Sequence, residues 1–399
     1  MKKTFCALAA LAAVAVFPAL AMAETADGLV PYAQVRAYMG YVNQSKELTG
    51  SAADKDYSSR LTTSRFGVKG KSGDIDGVVE MGLDGVNNSD GTKSVKVSTR
   101  KIYATYAFTP DIKMLIGQDE APYTFYSCSF ANDDNFSGFG STSQQRDYQA
   151  KVTLFGFYVD LLNPYTATKI ANRKTNPAAP ATPVDISYDA KYYDVTVPKI
   201  AVGYDFKFES DDKMTSFTLS PGAAYQTVKI DYKGDALNGE KINSYLAYCH
   251  ATAKLGGFSV NGNIGYGVNT ANMGLDYSKS YASAATSLGS SKAVNPLAEA
   301  DKKTKDKITN TKSLEGFLDV GYDFGPAEVR GGVGYVQAKN DNWLKTDKQM
   351  AYYAQVSVPL VPKKLYIKPE FEYRNFMKDS AGKKQGNEWL AGAFIQAFL

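Results

Sequence analysis

Apolar and polar residues alternate with a period of two through most of the chain from Leu29 onward, and turn-forming residues separate the alternating stretches. Each stretch predicts a β-strand whose side chains point alternately into two different surroundings. The pattern predicts sixteen strands. They cover residues 30–42, 59–71, 74–86, 94–108, 112–122, 146–155, 157–165, 192–208, 213–231, 240–255, 257–269, 308–324, 326–339, 346–360, 364–377 and 387–399.

The links between these predicted strands alternate between short and long. Residues 72–73 and 256 are short links, whereas residues 123–145 and 270–307 are long ones. If consecutive strands run antiparallel, every short turn lies at one end of the sheet and every long loop at the other. Outer-membrane β-barrels with an even strand number have this arrangement, and a soluble sandwich has no reason to sort its loops by end.

The two faces of the predicted strands also favour a barrel. In residues 313–324, one face carries Ser313, Glu315 and Asp319 together with Phe317, and the opposite face is entirely apolar. A polar face with charges along its middle cannot be packed as a core, whereas a lipid-facing outside and a water-filled lumen suit both faces. The last strand agrees, because residues 389–399 carry an apolar face that runs to Leu399.

Composition excludes several other classes of protein. The chain has 399 residues, of which 44% are hydrophobic and 22% charged, with a net charge of +4, one histidine and three cysteines. The hydrophobic share is too high for disorder, and after the first ~20 residues no apolar run reaches the ~18 residues of a spanning helix. A single histidine argues against a zinc site, and the small net charge predicts no nucleic-acid partner. We expect no cofactor and no bound metal.

Residues 1–23 resemble a secretory signal peptide. Lys2 and Lys3 precede an apolar stretch, and Ala21-Met22-Ala23 provides a small-residue cleavage site. The alternative is a single membrane anchor, against which the cleavage pattern argues. Cleavage leaves residues 24–399 as one predicted barrel domain with two cysteines.

Two stretches carry a resemblance to a known family. The segment 64–70 (SRFGVKG), followed by 74–84, and the segment 100–106 (RKIYATY), followed by 115–118, resemble early strands of the sixteen-stranded, trimeric porins of Gram-negative outer membranes. These motifs cover roughly the first third of the chain, and the strand and loop pattern covers the whole of residues 24–399. The family normally ends in phenylalanine, whereas this chain ends in Leu399. The resemblance implies short periplasmic turns, long extracellular loops, a homotrimer, and contact with outer-membrane lipid and lipopolysaccharide.

The resemblance also implies that the third long loop, residues 123–145, folds into the lumen and narrows it. We expect Asp133 and Asp134 of this loop to form the acidic side of the constriction, together with Glu80 of the wall. The alternation places a basic wall opposite, formed by Arg36, Arg65, Lys69 and Arg100. In the alternative interpretations, the loop is an ordinary solvated surface loop and Glu80 pairs with one of these bases as part of the scaffold.

Three residues bear on whether the protein is an enzyme or a disulfide-bonded protein. His250 is the one candidate general base, and the alternation turns it towards the lumen, where it cannot serve a lipase that faces lipid. Its neighbour Cys249 then faces outward, while Cys128 lies in the third loop. We therefore expect two free thiols and no catalysis.

The sequence predicts a channel for passive diffusion of small hydrophilic solutes and ions, with a weak preference for anions. A substrate-selective channel of the same fold, for anions, sugars or carboxylates, is the main alternative. An exported structural or adhesin-like β protein is a third possibility, and it predicts no conductance.

Overall fold

A computed structural model describes residues 28–50, 54–62, 64–87, 93–129, 136, 139–141, 146–164, 169–171, 183–185, 193–195, 197–231, 239–273, 310–340, 345–379 and 382–399. The predicted signal peptide 1–23 and the loop residues Asp133 and Asp134 lie outside these described residues.

Sixteen strands follow one another along the chain. Two of them are interrupted: β2 consists of two segments and β8 of three. The strands are β1 (Leu29–Gln44), β2 (Asp54–Leu61 and Ser64–Ser72), β3 (Ile75–Asn87), β4 (Lys93–Thr109), β5 (Ile112–Glu120), β6 (Arg146–Leu154), β7 (Phe157–Leu162), β8 (Tyr193–Asp194, Lys199–Tyr204 and Phe206–Glu209), β9 (Thr215–Ile230), β10 (Lys241–Leu255), β11 (Phe258–Val268), β12 (Thr311–Asp323), β13 (Glu328–Asn340), β14 (Asp347–Val361), β15 (Leu365–Asn375) and β16 (Asn387–Phe398).

The sheet closes on itself. Each strand pairs antiparallel with the next along the chain, and β1 also pairs with β16, from Gln34 opposite Phe398 to Gln44 opposite Glu388. The predicted sixteen-stranded antiparallel barrel is confirmed, and so is the alternation of short turns with long loops. Closure removes the unpaired edges that an open sheet would expose.

The long loops contain little regular structure among the described residues. A short helix α1 (Lys46–Thr49) follows β1, a 3₁₀ turn (Thr270–Met273) follows β11, and Lys169–Ala171 pairs with Pro183–Asp185 between β7 and β8. No helix in the described part of the chain is both long and apolar enough to cross a membrane.

Pro198 and Pro221 fall within the predicted strands 192–208 and 213–231, where a proline cannot donate a ladder hydrogen bond, so the sequence predicts a bulge or kink at each. Strand β8 is interrupted just before Lys199, next to Pro198, in agreement with the prediction. Strand β9 instead runs through Pro221 with unbroken register, and Pro221 lies opposite Cys249 of β10. The pairing of β9 with β8 is interrupted opposite Ser220 and Pro221, between the pairs Gly203–Gly222 and Phe206–Leu219, so the predicted irregularity affects β8 and no bulge forms between β9 and β10.

The strands present the predicted apolar face to the outside of the barrel. Outward side chains such as Tyr41, Ile116, Tyr266 and Phe371 are about half exposed. Inward positions carry polar or charged groups, including Gln226, Ser244 and Asp319, which are buried in the barrel. An exposed apolar coat of this extent is what a lipid-facing wall requires.

The third long loop lies inside the barrel, as the resemblance implied. It leaves β5, which ends at Glu120, and its described residues contact inward side chains of β11 to β15 on the opposite side. Asn261 of β11 donates to the Tyr126 carbonyl oxygen over 3.0 Å, and Gln355 of β14 donates to that of Cys128 over 3.2 Å. The loop therefore crosses the lumen and docks against the far wall.

Two apolar clusters hold the loop in place. Tyr123 packs with Leu246, Tyr248 and Met273. Phe136 and Phe139 pack in the second cluster, whose wall members are Phe317, Ala351, Tyr353 and Phe376. The expectation that every inward face is hydrated is thus wrong for this part of the barrel, because the loop converts it into a small hydrophobic core.

The two cysteines among the described residues, Cys128 and Cys249, lie on opposite sides of the barrel wall and are both free. Cys128 is on the third loop, where burial and the nearby Asp319 carboxylate raise the pKa of its thiol to about 11. Cys249 follows the inward Tyr248 on β10 and points outward. The predicted absence of a disulfide agrees with this arrangement.

We expect N-ethylmaleimide to label Cys249 of the folded protein in detergent and to leave Cys128 unmodified, because only the thiolate reacts readily and Cys128 is both buried and protonated at neutral pH. Mass spectrometry should show one adduct on the wild type before denaturation and two afterwards. The Cys249→Ser variant should show no adduct before denaturation and one afterwards. Rapid labelling of Cys128 in the folded protein would contradict the docked position of the loop.

Candidate functional site: the aperture beside the third loop

Three of the predicted basic residues lie where the alternation places them. Arg36 on β1 and Arg65 and Lys69 on β2 face the same side of the wall, since Arg65 lies opposite the inward Gln34. The Nε of Arg36 donates to the Gln34 side-chain oxygen over 2.9 Å. The ammonium of Lys69 lies 5.1 Å from the centre of the Tyr32 ring, a cation–π distance.

Arg100 reaches the lumen through a β-bulge. The register of β3 against β4 shifts between Glu80, which lies opposite Lys101, and Met81, which lies opposite Thr99. Arg100 is the extra residue, so it and Lys101 both turn inward although they are adjacent in sequence. Strict alternation would send one of them into lipid. The bulge thus doubles the basic charge at this point of the wall.

Glu80 connects this basic wall. One of its oxygens accepts from the Arg100 Nε over 2.7 Å, and the other accepts from the Tyr32 hydroxyl over 2.9 Å. The Glu80 and Arg100 side chains are both almost fully buried. This geometry supports the scaffold interpretation of Glu80. Loss of one partner of such a buried pair costs about 3–5 kcal/mol, because the other charge is left uncompensated.

Four charged residues of this wall were not predicted. Lys101 contacts Asp119 over 2.8 Å and Glu120 over 3.6 Å, and Arg146 at the start of β6 contacts Glu120 over 3.1 Å. The pair Arg100-Lys101 is visible in the sequence, but its orientation depends on the bulge. Arg146 could have been found from its position at the first residue of a predicted strand.

These residues surround a cavity of about 740 Å³ between the wall of β1 to β6 and the third loop. Six basic and two acidic side chains line it: Arg36, Arg65, Lys69, Arg100, Lys101, Arg146, Glu80 and Glu120. The loop contributes Tyr126, Ser127 and Cys128, which carry no charge at neutral pH. The structure therefore brings the four predicted bases and Glu80 together. The predicted acidic partners Asp133 and Asp134 lie outside the described residues.

The carboxylates of the far wall are covered by the loop. Asp319 of β12 accepts from the Cys128 backbone N–H over 2.8 Å, and the Ser129 hydroxyl lies 2.9 Å from Glu370 and 2.7 Å from Glu372 of β15. These carboxylates are buried, and none of them lines the cavity. The open side of the lumen is consequently dominated by positive charge.

A hydrogen bond and a cation–π contact of Tyr123 fix the start of the third loop to the barrel wall. Burial raises the pKa of Tyr123 to about 12, so its hydroxyl remains protonated and donates to the Met273 carbonyl oxygen over 3.1 Å. The ammonium of Lys199, fully buried on β8, contacts Asp147 over 2.5 Å and lies 5.7 Å from the Tyr123 ring centre. Both ends of the described loop segment are therefore tied to the wall.

Comparison with solved structures finds outer-membrane proteins with the same architecture. The outer-membrane channel DcaP of Acinetobacter baumannii aligns over 93% of this chain and 98% of its own, with 13% identity and a TM-score of 0.58. OmpT of Vibrio cholerae, in its trimer form, aligns over 94% and 100% with 13% identity and a TM-score of 0.50. The anion-selective porin from Comamonas acidovorans aligns over 94% and 100% with 12% identity and a TM-score of 0.50. No protein-family model and no curated protein matches the sequence. The chain has the sixteen-stranded barrel fold of the outer-membrane porins.

Gly334 on β13 allows the loop to approach the wall. A Cβ atom at this position would overlap the carbonyl oxygen of Phe139 and lie 2.8 Å from the Phe136 ring. We expect Gly334→Ala to push the loop off the wall, to widen the aperture, and to raise single-channel conductance measured in planar bilayers. Gly331→Ala is the matched control, because the nearest atom to its Cβ would be 3.3 Å away. Equal conductance of the two variants would argue against a docked loop that narrows the lumen.

Proposed function

We propose that this protein is an outer-membrane porin through which small hydrophilic solutes and ions diffuse passively, with a preference for anions. The observation that carries the proposal is the cavity beside the third loop, which six basic and two acidic side chains line inside a barrel with an apolar outer surface.

The charge distribution explains how such a channel would select. A channel wall of low dielectric constant concentrates the field of its charges, so fixed positive charge raises the local concentration of anions and lowers that of cations. The solute moves down its own gradient, and the chain needs neither a cofactor nor a catalytic group for this. Polar solutes keep their hydration in the aperture, whereas apolar solutes gain no favourable free energy of transfer by moving from bulk water into it.

The same proposal includes where the chain resides and how it assembles. Residues 1–23 act as a cleaved signal peptide, residues 24–399 form one barrel domain, and the short turns face the periplasm. A homotrimer is supported by OmpT of Vibrio cholerae, which has the same fold and has been solved in a trimer form. The outward positions of β16 are all apolar (Trp389, Ala391, Ala393, Ile395 and Ala397), as a contact between subunits requires.

A substrate-selective anion channel is the second candidate. It is favoured by the closeness of Arg36, Arg65 and Lys69 on two adjacent strands of one cavity, since several bases together can bind one multiply charged anion. The two candidates differ in saturation. Block of chloride current that saturates with one class of anion would favour the selective channel, and current that stays proportional to concentration would favour general diffusion.

Neutralising the basic wall should reduce anion selectivity. In the triple variant Arg36→Gln, Arg65→Gln and Lys69→Gln, loss of fixed positive charge lowers the anion concentration in the aperture, so the anion-to-cation permeability ratio should fall by about threefold or more. The ratio is obtained from the reversal potential in a potassium chloride gradient.

The matched control removes three equally charged residues from exposed turns at the short-turn end, Lys213→Gln, Lys363→Gln and Lys364→Gln. It should leave the permeability ratio close to that of the wild type. A wild-type preference for cations, or the same ratio in all three proteins, would refute the assignment of the basic wall.

A further inference from the structure

The hydroxyl of Ser129, in the third loop, contacts two carboxylates of β15 at once. Its Oγ lies 2.9 Å from an oxygen of Glu370 and 2.7 Å from an oxygen of Glu372. Ser129 and Glu372 are completely buried, and Glu370 is nearly so. Both distances are typical of hydrogen bonds between oxygen atoms, and each such bond contains one proton. The loop is therefore joined to the far wall at Ser129 by two short contacts between oxygen atoms.

The number of protons available at this contact is too small if both carboxylates are ionised. Two hydrogen bonds need two protons, and the Ser129 hydroxyl has one. An ionised carboxylate accepts hydrogen bonds but donates none, so one of the two contacts would bring lone pairs together with no proton between them. A carboxyl group that keeps its proton resolves this conflict, because it donates to the Ser129 oxygen while the hydroxyl donates to the other carboxylate.

The other partners of the two carboxylates indicate which of them carries the proton. The Nε of Arg374 donates to the second oxygen of Glu372 over 2.5 Å, so a cation favours the ionised form of Glu372. The second oxygen of Glu370 accepts from the side-chain amide of Gln355, which is a neutral donor. The geometry therefore places the proton on Glu370, between its carboxyl oxygen and the Ser129 Oγ.

The charged groups around Glu370 agree with one retained proton. The inward positions of β15 and β16 carry three carboxylates and two cations, so one negative charge is in excess on these two strands. Arg374 is shared, since it also donates to Glu388 over 3.2 Å. Lys368 interacts electrostatically with Glu370 and with Arg36 of β1. The other neighbours of the carboxylate pair are the uncharged Gln355, Tyr353, Leu390 and Gly392 of the adjacent strands and Cys128 of the loop, beside which lie one further carboxylate, Asp319, and one further cation, Arg330.

We propose that Ser129 is a positioning residue for the third loop and that its contact with Glu370 and Glu372 holds one shared proton. Once the loop leaves the wall, water reaches both carboxylates, and both ionise at neutral pH. The docked loop thus binds one more proton than the undocked loop, so docking is strongest at low pH and weakens as pH rises through the titration of the pair. Ser129 then loses one of its two hydrogen bonds, the loop moves away from β15, and the aperture widens.

Single-channel recording of the full-length protein in planar bilayers, between about pH 5 and about pH 9, tests this linkage; this readout rests on the proposed channel function. We expect a narrow and a wide conductance level. Above the titration of the pair, the ratio of wide to narrow occupancy should rise by about tenfold for each pH unit, which is the slope for one proton.

Two variants assign this slope to the contact. Glu370→Gln keeps a side chain that donates to Ser129 but cannot ionise, so it should stay at the narrow level throughout the pH range. Ser129→Ala removes the hydroxyl and should lose the slope. Asp76→Asn is the matched control, because it removes an exposed carboxylate near the short-turn end of β3, and it should keep the slope of the wild type.

Labelling of Cys128 by N-ethylmaleimide follows the loop without any conductance measurement. The experiment uses the Cys249→Ser background and compares proteins at the same pH, so that the ionisation of the thiol affects both rates equally. With Glu370 intact, Cys128 should be labelled faster than in Glu370→Gln at about pH 9, and the two rates should agree at about pH 5.

The outcomes separate this inference from the proposed function. A slope that survives in both Glu370→Gln and Ser129→Ala, loss of the slope in Asp76→Asn, or equal labelling of Cys128 at every pH would each overturn the shared proton. Wild-type conductance without any slope would also overturn it, while the proposed function stands. Absence of conductance in the wild type refutes the proposed function, and the labelling rates then still decide whether docking depends on the proton.

Discussion

The docking of the third loop against the far wall is the interaction on which the rest of the lumen depends. An empty barrel of sixteen strands would leave a wide aqueous channel with polar side chains all around it. Here Phe136 and Phe139 pack onto β12 to β14, and the Cys128 backbone N–H donates to Asp319. The loop therefore fills the side of the lumen next to these strands, and the part of the lumen that stays open to water is lined by β1 to β6.

This position of the loop also decides which charges a passing solute encounters. Asp319, Glu370 and Glu372 belong to the inner wall, but the loop covers them and provides hydrogen-bond donors to them. The basic side chains of the opposite wall stay open to the cavity. A net charge of +4 for the whole chain would not reveal this asymmetry. Selectivity follows from which charges the fold buries, and the overall composition has little influence on it.

The barrel could be predicted from sequence because alternation and loop length are local signals that lipid, water and closure all require at once. Arg36, Arg65 and Lys69 lie on the inward face that the alternation predicts for the same reason. Arg100 was harder, since a bulge changes the face of every residue on one side of it, and its signal is only the adjacent pair Arg100-Lys101. Arg146, which begins β6, lies outside the early strands that carry the family resemblance, so its position beside the cavity was not predicted. Pro221 shows a smaller effect than predicted: β9 keeps its register with β10, and only its pairing with β8 is interrupted beside the proline.

Phe317 shows where the two-face interpretation of these strands is incomplete. It is an aromatic residue on a polar face, between Glu315 and Asp319, and it packs in the cluster that holds Phe136 and Phe139. Ala351 and Tyr353 of β14 belong to the same cluster and also face inward. Inward positions thus meet two surroundings, water on one side of the lumen and the loop on the other. Apolar residues on an otherwise polar barrel face are therefore the sequence signal of an inward-folded loop, since a lumen without one would gain nothing from burying them.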